Sequence, residues 1–331
     1  MSKEKPDAGE FRDYIKHIPQ VAKLDLSREW WPRFLFHFTN IRNAVSILSS
    51  GELLSRSLLL NDERFDDSAS PDIIQQTSDV WKDYVRLYFR PRTPTLFNNE
   101  GFRPKAKLSL NAHCPMPIYF FFDLEDVICR EDSLFSWGSL ARKDPKVFST
   151  FEDFKNAPFD LIYHDSGFGE SDRDTIINHR QAEVIVPKRL SLESLKYIRC
   201  RSQAELETLR YYLPGQTLQR WREKMAAKPR YGPFFNRWVY IEQATLTKDS
   251  VVFTFHLPND QEDRGPFVAH LEITEKWTGE KYIWDDPSYE IANRVEFNLS
   301  NLKYPDDYEV RLTLDGYPAF TGRYQRDDIP F

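Results

Sequence analysis

Cysteine, methionine and glycine are scarce in this chain: 3, 3 and 12 residues among 331. Cys114, Cys129 and Cys200 lie far apart without CxxC spacing, so neither a disulfide framework nor a zinc site is expected, and no residue is assigned to a metal. The one glycine pair at close spacing, Gly167-Phe168-Gly169, is no dinucleotide fingerprint, which argues against a Rossmann dehydrogenase. Long apolar runs are absent too. The longest, Ile118 to Phe122, has five residues, where a membrane span needs about 20. The opening MSKEKPDAGE is polar and lacks the apolar stretch of a secretory signal. The chain is therefore expected to be soluble and cytoplasmic, with no membrane association.

What the chain has is a globular composition, 40% hydrophobic and 15% aromatic, long enough for two cores. Its net charge of −6 is unevenly spread. Residues 231–331 carry 10 Lys/Arg against 18 Asp/Glu, a net of −8; residues 1–230 hold the other 35 basic and 33 acidic side chains, a net of +2. Within the latter, 180–230 reaches +7 (12 against 5). A basic part joined to an acidic part suggests two tasks, the first toward a polyanion.

The order of local patterns gives an α+β chain. A polar tail and a short amphipathic helix around Phe11 to Val21 fill 1–33. Phe34 to Phe38 reads as a strand, followed by a helix capped at Thr39 or Asn40 and closed by Gly51. That places His37 and Thr39 where a strand enters a helix, a natural meeting point for an anionic ligand. A polar loop holds Asn61, Asp62 and Arg64, and a helix is expected over 71–82. Strands follow at Val85–Phe89 and Pro117–Phe122. Between them Arg90-Pro91-Arg92-Thr93-Pro94 forms a stiff turn, in a segment (80–107) with seven basic against two acidic residues. Helices are expected from Asp123 to Ile128 and near 148–156, and a strand at Leu161-Ile162-Tyr163. A Gly/Asp/Ser loop (164–174) leads to Glu183 at the mouth of a Val-Ile-Val strand, the kind of place where catalytic groups are mounted. Ser202 with Glu205 is a capping-box pattern opening a helix over 203–213, and a basic helix spans 216–228. After Trp238 about seven short strands with no helical period read as a β-sandwich, without the Cys-Trp-Cys signature of an immunoglobulin domain. The expected divisions are a tail and helix (1–33), a mixed α/β domain (34–213), a basic helical linker (214–235) and an acidic sandwich-like domain (236–331).

The succession His37-Phe38-Thr39, Asn61-Asp62-Glu63-Arg64, Leu87-Tyr88-Phe89-Arg90-Pro91-Arg92-Thr93-Pro94 and Arg180-Gln181-Ala182-Glu183 resembles the DarT family of NAD-dependent ADP-ribosyltransferase toxins that modify DNA bases. The resemblance covers about residues 30–213. It implies an ADP-ribosyltransferase-like fold with NAD as ADP-ribose donor. It implies Glu183 as the catalytic glutamate, together with an arginine from the first half of the fold, Arg64 first or Arg92 second. His37, Thr39, Asn61 and Tyr88 would hold NAD. The loop 164–181 would recognise the acceptor, with Arg90, Phe168 and Arg180 as substrate contacts. The chemistry suits these residue types on its own terms. Cleaving the nicotinamide–ribose bond passes through an oxocarbenium-like state, which a placed carboxylate stabilises, and an arginine can hold a pyrophosphate bidentately.

Basic segments and loop aromatics suit a splayed single strand, DNA or RNA, and the residues alone distinguish neither polymer nor base. Two other readings stand beside this one: an ADP-ribosyltransferase acting on a protein or small molecule, and a non-enzymatic nucleic-acid-binding module. The acidic domain after 230 lies outside the minimal toxin of the family. It is expected to bind an antitoxin or a trigger protein in a toxin–antitoxin or anti-phage defence system.

Overall fold

The computed structural model describes residues 3–59, 75–108, 112–227 and 232–326. Ten short strands precede the β-rich part: β1 (Phe34–Asn40), β2 (Glu52–Leu54), β3 (Tyr84–Tyr88), β4 (Pro117–Asp123), β5 (Leu134–Ser136), β6 (Val147–Phe148), β7 (Glu183–Pro187), β8 (Arg189–Ser191), β9 (Leu195–Cys200) and β10 (Met225–Ala227). Eight of them form one mixed sheet in the order β10-β9-β4-β1-β3-β7-β5-β6, while β2 and β8 pair separately. The central strands are apolar because both faces are covered: β4 is buried from Pro117 to Phe122, and Val184, Ile185 and Val186 of β7 are fully buried. Seven further strands follow: β11 (Tyr240–Leu246), β12 (Ser250–His256), β13 (Phe267–Glu275), β14 (Lys281–Tyr289), β15 (Arg294–Asn298), β16 (Asp307–Leu314) and β17 (Tyr317–Gln325). They make a three-stranded sheet (β11-β12-β15) and a four-stranded one (β14-β13-β16-β17) over a shared core of Phe253, Leu271, Val310 and Phe320. Alternating burial along β12 and β13 is the signature that made these strands legible. The α+β class with a terminal β-sandwich is as expected.

Several local expectations give way to packing. The first helix is two helices, Ala8–Ile15 and Ile18–Val21, because Pro19 has no N–H to continue the first; Phe11 is fully buried against Phe151 and Phe154, so this segment belongs to the core. The strand expected at Leu161-Ile162-Tyr163 is a helix, Phe159–Ile162, started after Pro158, with Phe159, Ile162 and Tyr163 buried at helical spacing. Of the helix expected over 71–82, residues 71–74 lie outside the described residues, and the helix Asp79–Lys82 is a single turn. The basic helix over 216–228 ends at Trp221; Met225–Ala227 instead runs parallel to Ile198–Cys200 and adds an edge strand to the main sheet. The expected caps form: Asn43 N–H donates to Asn40, and Gly51 is left-handed at φ 77°. In the capping box, Ser202 accepts from Glu205 N–H, but the Glu205 carboxylate turns to Arg201.

The two parts are bonded across a broad junction. Phe102 and Val239 exchange backbone hydrogen bonds, Ser202 Oγ donates to Ile241 O (2.6 Å), and Thr321 N–H donates to Thr208 Oγ1 (3.1 Å). Among the described residues no helix is long and apolar enough to cross a membrane.

Candidate active site

The sheet carries one cross-strand row that ends at Glu183. Tyr197 of β9 stands opposite Phe121 of β4, Phe121 opposite Phe36 of β1, Phe36 opposite Tyr88 of β3, and Tyr88 opposite Glu183 of β7. Directly opposed residues share a face, so four aromatics and the glutamate line one side of the sheet. Among the described residues, β1 and β3 pair only at Phe36↔Tyr88. Beyond it they part, and the split opens beside Arg86 and His37.

His37 reaches across that split: its Nδ1 lies 3.3 Å from the Arg86 carbonyl oxygen. A carbonyl only accepts, so the imidazole carries its proton on Nδ1 and presents Nε2 as an acceptor. Burial holds this imidazole down to about 4, neutral at physiological pH. Two residues on, Thr39 is buried and its Oγ1 accepts from Asn43 Nδ2 (3.1 Å), at the N-terminus of the helix Ile41–Ser50. Tyr88 stacks on Phe38 with centroids 6.4 Å apart, and its hydroxyl donates to Thr95 Oγ1 at 3.5 Å. Burial and then the Glu183 charge push the Tyr88 phenol up, so it stays protonated.

Glu183, 1% exposed, is gripped by a residue that sequence reasoning did not assign. Arg86 donates through Nε to Oε2 (2.6 Å) and through Nη2 to Oε1 (2.7 Å). The Glu183 N–H donates to Ser136 Oγ (3.3 Å), locking β7 against β5. The signal for Arg86 was present: a charge inside an apolar strand needs a partner, and Arg86 alternates with Tyr88 on the Glu183 face.

The remaining arginines gather elsewhere. Arg90, 1% exposed, lies 5.1 Å over the Trp31 ring and donates to Asp165 and to the His164 carbonyl. Arg92 donates to the other Asp165 oxygen (3.1 Å) and to Gly232 O (3.3 Å). Arg180 donates to His164 Nδ1 and Ser166 O, both at 2.7 Å, and its guanidinium covers the half-exposed Phe168 ring at 4.8 Å. Burial draws Arg90 down to about 10, still cationic at neutral pH. Arg90, Arg92 and Arg180 thus converge on the 164–168 loop and hold it. The 164–181 stretch is not all loop: a 3₁₀ turn (Glu170–Asp172) and a helix (Arg173–His179) occupy its second half, presenting Glu183 from a firm base. Asn61 and Arg64 lie outside the described residues.

A family model described as "DarT: ssDNA thymidine ADP-ribosyltransferase, DarT" matches residues 36–235, more than half of the chain. Among solved structures, Thermus sp. 2.9 DarT in complex with ADP-ribosylated ssDNA aligns with a TM-score of 0.48 at 18% identity, over 60% of this chain and 96% of that one. The same protein in complex with NAD+ gives 0.46 at 17%, over 60% and 97%. Thermosipho africanus DarTG in complex with ADP-ribose gives 0.45 at 17%, over 65% and 53%. A search of curated proteins found no match. The family model settles the class that the residue pattern pointed to: the chain belongs to the DarT family, the single-stranded DNA thymidine ADP-ribosyltransferases, and is an NAD-dependent enzyme.

Proposed function

We propose that this chain transfers ADP-ribose from NAD to thymine in single-stranded DNA, with Glu183 as the catalytic residue at the split between β1 and β3. The observation that carries the reading is the buried Glu183 carboxylate, held by both Arg86 donors on the aromatic-lined face of the sheet. The residues suit a donor rich in hydroxyls and phosphates. His37 Nε2 is an acceptor, Glu183 retains lone pairs beyond those Arg86 uses, and the buried indole N–H of Trp137, next to Ser136, has no partner among the described residues. NAD supplies the ADP-ribosyl group and nicotinamide as its leaving group. Glu183 orients the ribose and stabilises the positive charge that grows as the bond from C1′ to nicotinamide breaks and its electron pair leaves with nicotinamide. His37 and Thr39 hold the donor side, Tyr88 walls the cleft, and the 164–168 loop, stiffened by Arg90, Arg92 and Arg180, presents Phe168 to the acceptor base. Arg92, with its guanidinium given to Asp165 and Gly232, serves the loop, and Arg64 remains the candidate for activating the base.

The acidic β-sandwich is assigned a partner-binding role, as antitoxin or trigger receptor, supported by its net charge of −8 and by Trp277, 68% exposed on its surface. Mass spectrometry of single-stranded DNA and RNA oligomers incubated with protein and NAD, beside Glu183→Ala, tests the reading. An ADP-ribose adduct on thymine in DNA alone, lost in the variant, is expected. NAD consumption with no adduct on DNA overturns it.

A further inference from the structure

Arg86 is the only charged residue of β3, and nothing in the family motifs quoted above names it. Its guanidinium reaches from the position opposite Ile185 to the next pair on the same face, where Tyr88 stands opposite Glu183. The fork takes both carboxylate oxygens at 2.6 and 2.7 Å. The groups that meet Glu183 come from the two strands flanking it, Arg86 and Tyr88 from β3 and Ser136 from β5; His37 of β1, one residue off the Phe36–Tyr88–Glu183 row, lies on the other face and meets Arg86 only at its backbone carbonyl. His179, at the end of the preceding helix, is engaged with the Trp137 carbonyl at 2.6 Å. Among the described residues Arg86 is the one cation touching the glutamate.

A carboxylate in so dry a wall tends to take up a proton unless a cation opposes it. Once protonated it loses both its charge and half its value as an acceptor. A bidentate guanidinium uses one lone pair on each oxygen and leaves one on each.

We propose that Arg86 is the positioning residue of the transfer reaction: it fixes the Glu183 carboxylate in one orientation, keeps it charged, and leaves an acceptor position on each oxygen for the ribose hydroxyls. The inference rests on Glu183 being the catalytic glutamate. Burial pushes the Glu183 carboxyl up and Arg86 pulls it back, and the Arg86 guanidinium keeps its own proton firmly beside that carboxylate. Arg86 therefore acts through Glu183 and not on NAD or DNA.

The test is the pH profile of kcat/KM for ADP-ribosylation of a thymine-containing oligomer by the full chain. In Arg86→Gln, which keeps a donor but loses the charge, the acid limb moves up by about 1 to 3 pH units, and activity recovers toward alkaline pH. In Arg86→Lys the limb stays near that of the wild type while kcat falls and KM for NAD holds. If Arg86→Gln instead lowers the rate by one factor at every pH, with the limb unmoved, the proposal is overturned. Should Arg86→Gln fail to fold by thermal melting, Arg86→Lys decides: a raised KM for NAD at unchanged kcat overturns the proposal. Glu183→Gln is run alongside, and an active Glu183→Gln removes the reading of Glu183 itself, whatever Arg86 does.

Discussion

A buried charge cluster at the junction of the two parts offers the sharpest stability test. Arg201 is fully buried, and donates to Glu205 through Nε (3.0 Å) and a second nitrogen, to Pro115 O (2.7 Å), and more distantly to Glu100 (3.5 Å). Its guanidinium lies 4.1 Å from the Tyr240 ring centroid, on the first sandwich strand. Glu100 in turn accepts from the N–H groups of Phe235 (2.9 Å) and Asn236 (2.8 Å), where the chain passes into the sandwich. Removing one partner of such a pair costs about 3–5 kcal/mol because the other charge is left unpaired and dry. Glu205→Ala belongs at the lower end, about 3 kcal/mol, since Glu100 and Pro115 still face Arg201. Arg201→Ala belongs at the upper end, about 5 kcal/mol, since it strands two carboxylates at once. Urea unfolding followed by tryptophan fluorescence and by far-UV circular dichroism measures both. Because Arg201 and Glu100 tie both cores, the two probes should lose stability together. Losses under 1 kcal/mol for both variants, or the reverse ranking, would refute the electrostatic reasoning. The same contacts predict that a chain cut after 235 does not fold alone: it loses the Val239 partner of Phe102, the Thr321 partner of Thr208 and the Tyr240 face of Arg201. A soluble, cooperatively melting 1–235 fragment would show the junction to be dispensable.

Other outcomes follow from single contacts. Asp165→Ala removes the shared partner of Arg90 and Arg92; with Arg90 buried, about 2–3 kcal/mol is lost, and limited proteolysis should cut at 164–168 faster than in the wild type. A cut rate unchanged in that variant would mean the arginines do not hold the loop. His37 and His113 are both held down to about 4 by burial. Their folded pKa is below the unfolded one, so the unfolded state binds more protons, and stability is lost as pH falls from about 6.5 toward 4, by at most about 1.4 kcal/mol per unit for each. His113→Asn should flatten that slope in urea titrations at pH 7, 6 and 5, and an unchanged slope would exclude His113 as a contributor. Phe168→Ala should raise KM for single-stranded oligomers while leaving the KM for NAD and the melting temperature near those of the wild type, since the ring is 38% exposed. An unchanged KM for oligomers would remove Phe168 from the acceptor site.

How much of this was legible depended on whether a residue's role is local. Strands β11 to β17 declared themselves through period-two alternation, as in β12 and β13, or as short apolar runs between turns, and Asn40, Gly51 and Ser202 through cap chemistry, because each is decided within a few residues of the chain. Glu183 and His37 could be singled out because their motifs travel as short units. Phe159–Ile162 could not, since the three-residue apolar run Leu161-Ile162-Tyr163 fits a strand or a turn of helix equally until its burial partners exist. The roles of the arginines were the least legible, and for one physical reason. A guanidinium on a long side chain is committed by what stands opposite it after folding, and that partner is distant in sequence. Arg90 and Arg92, in a basic stretch, read as anion binders until Asp165, more than 70 residues away, claims both. Arg86, unremarked between Val85 and Leu87, meets Glu183 97 residues on. The buried pairing of opposite charges, invisible in composition, is therefore what turns a list of basic residues into a clamp on the 164–168 loop and a holder for the Glu183 carboxylate.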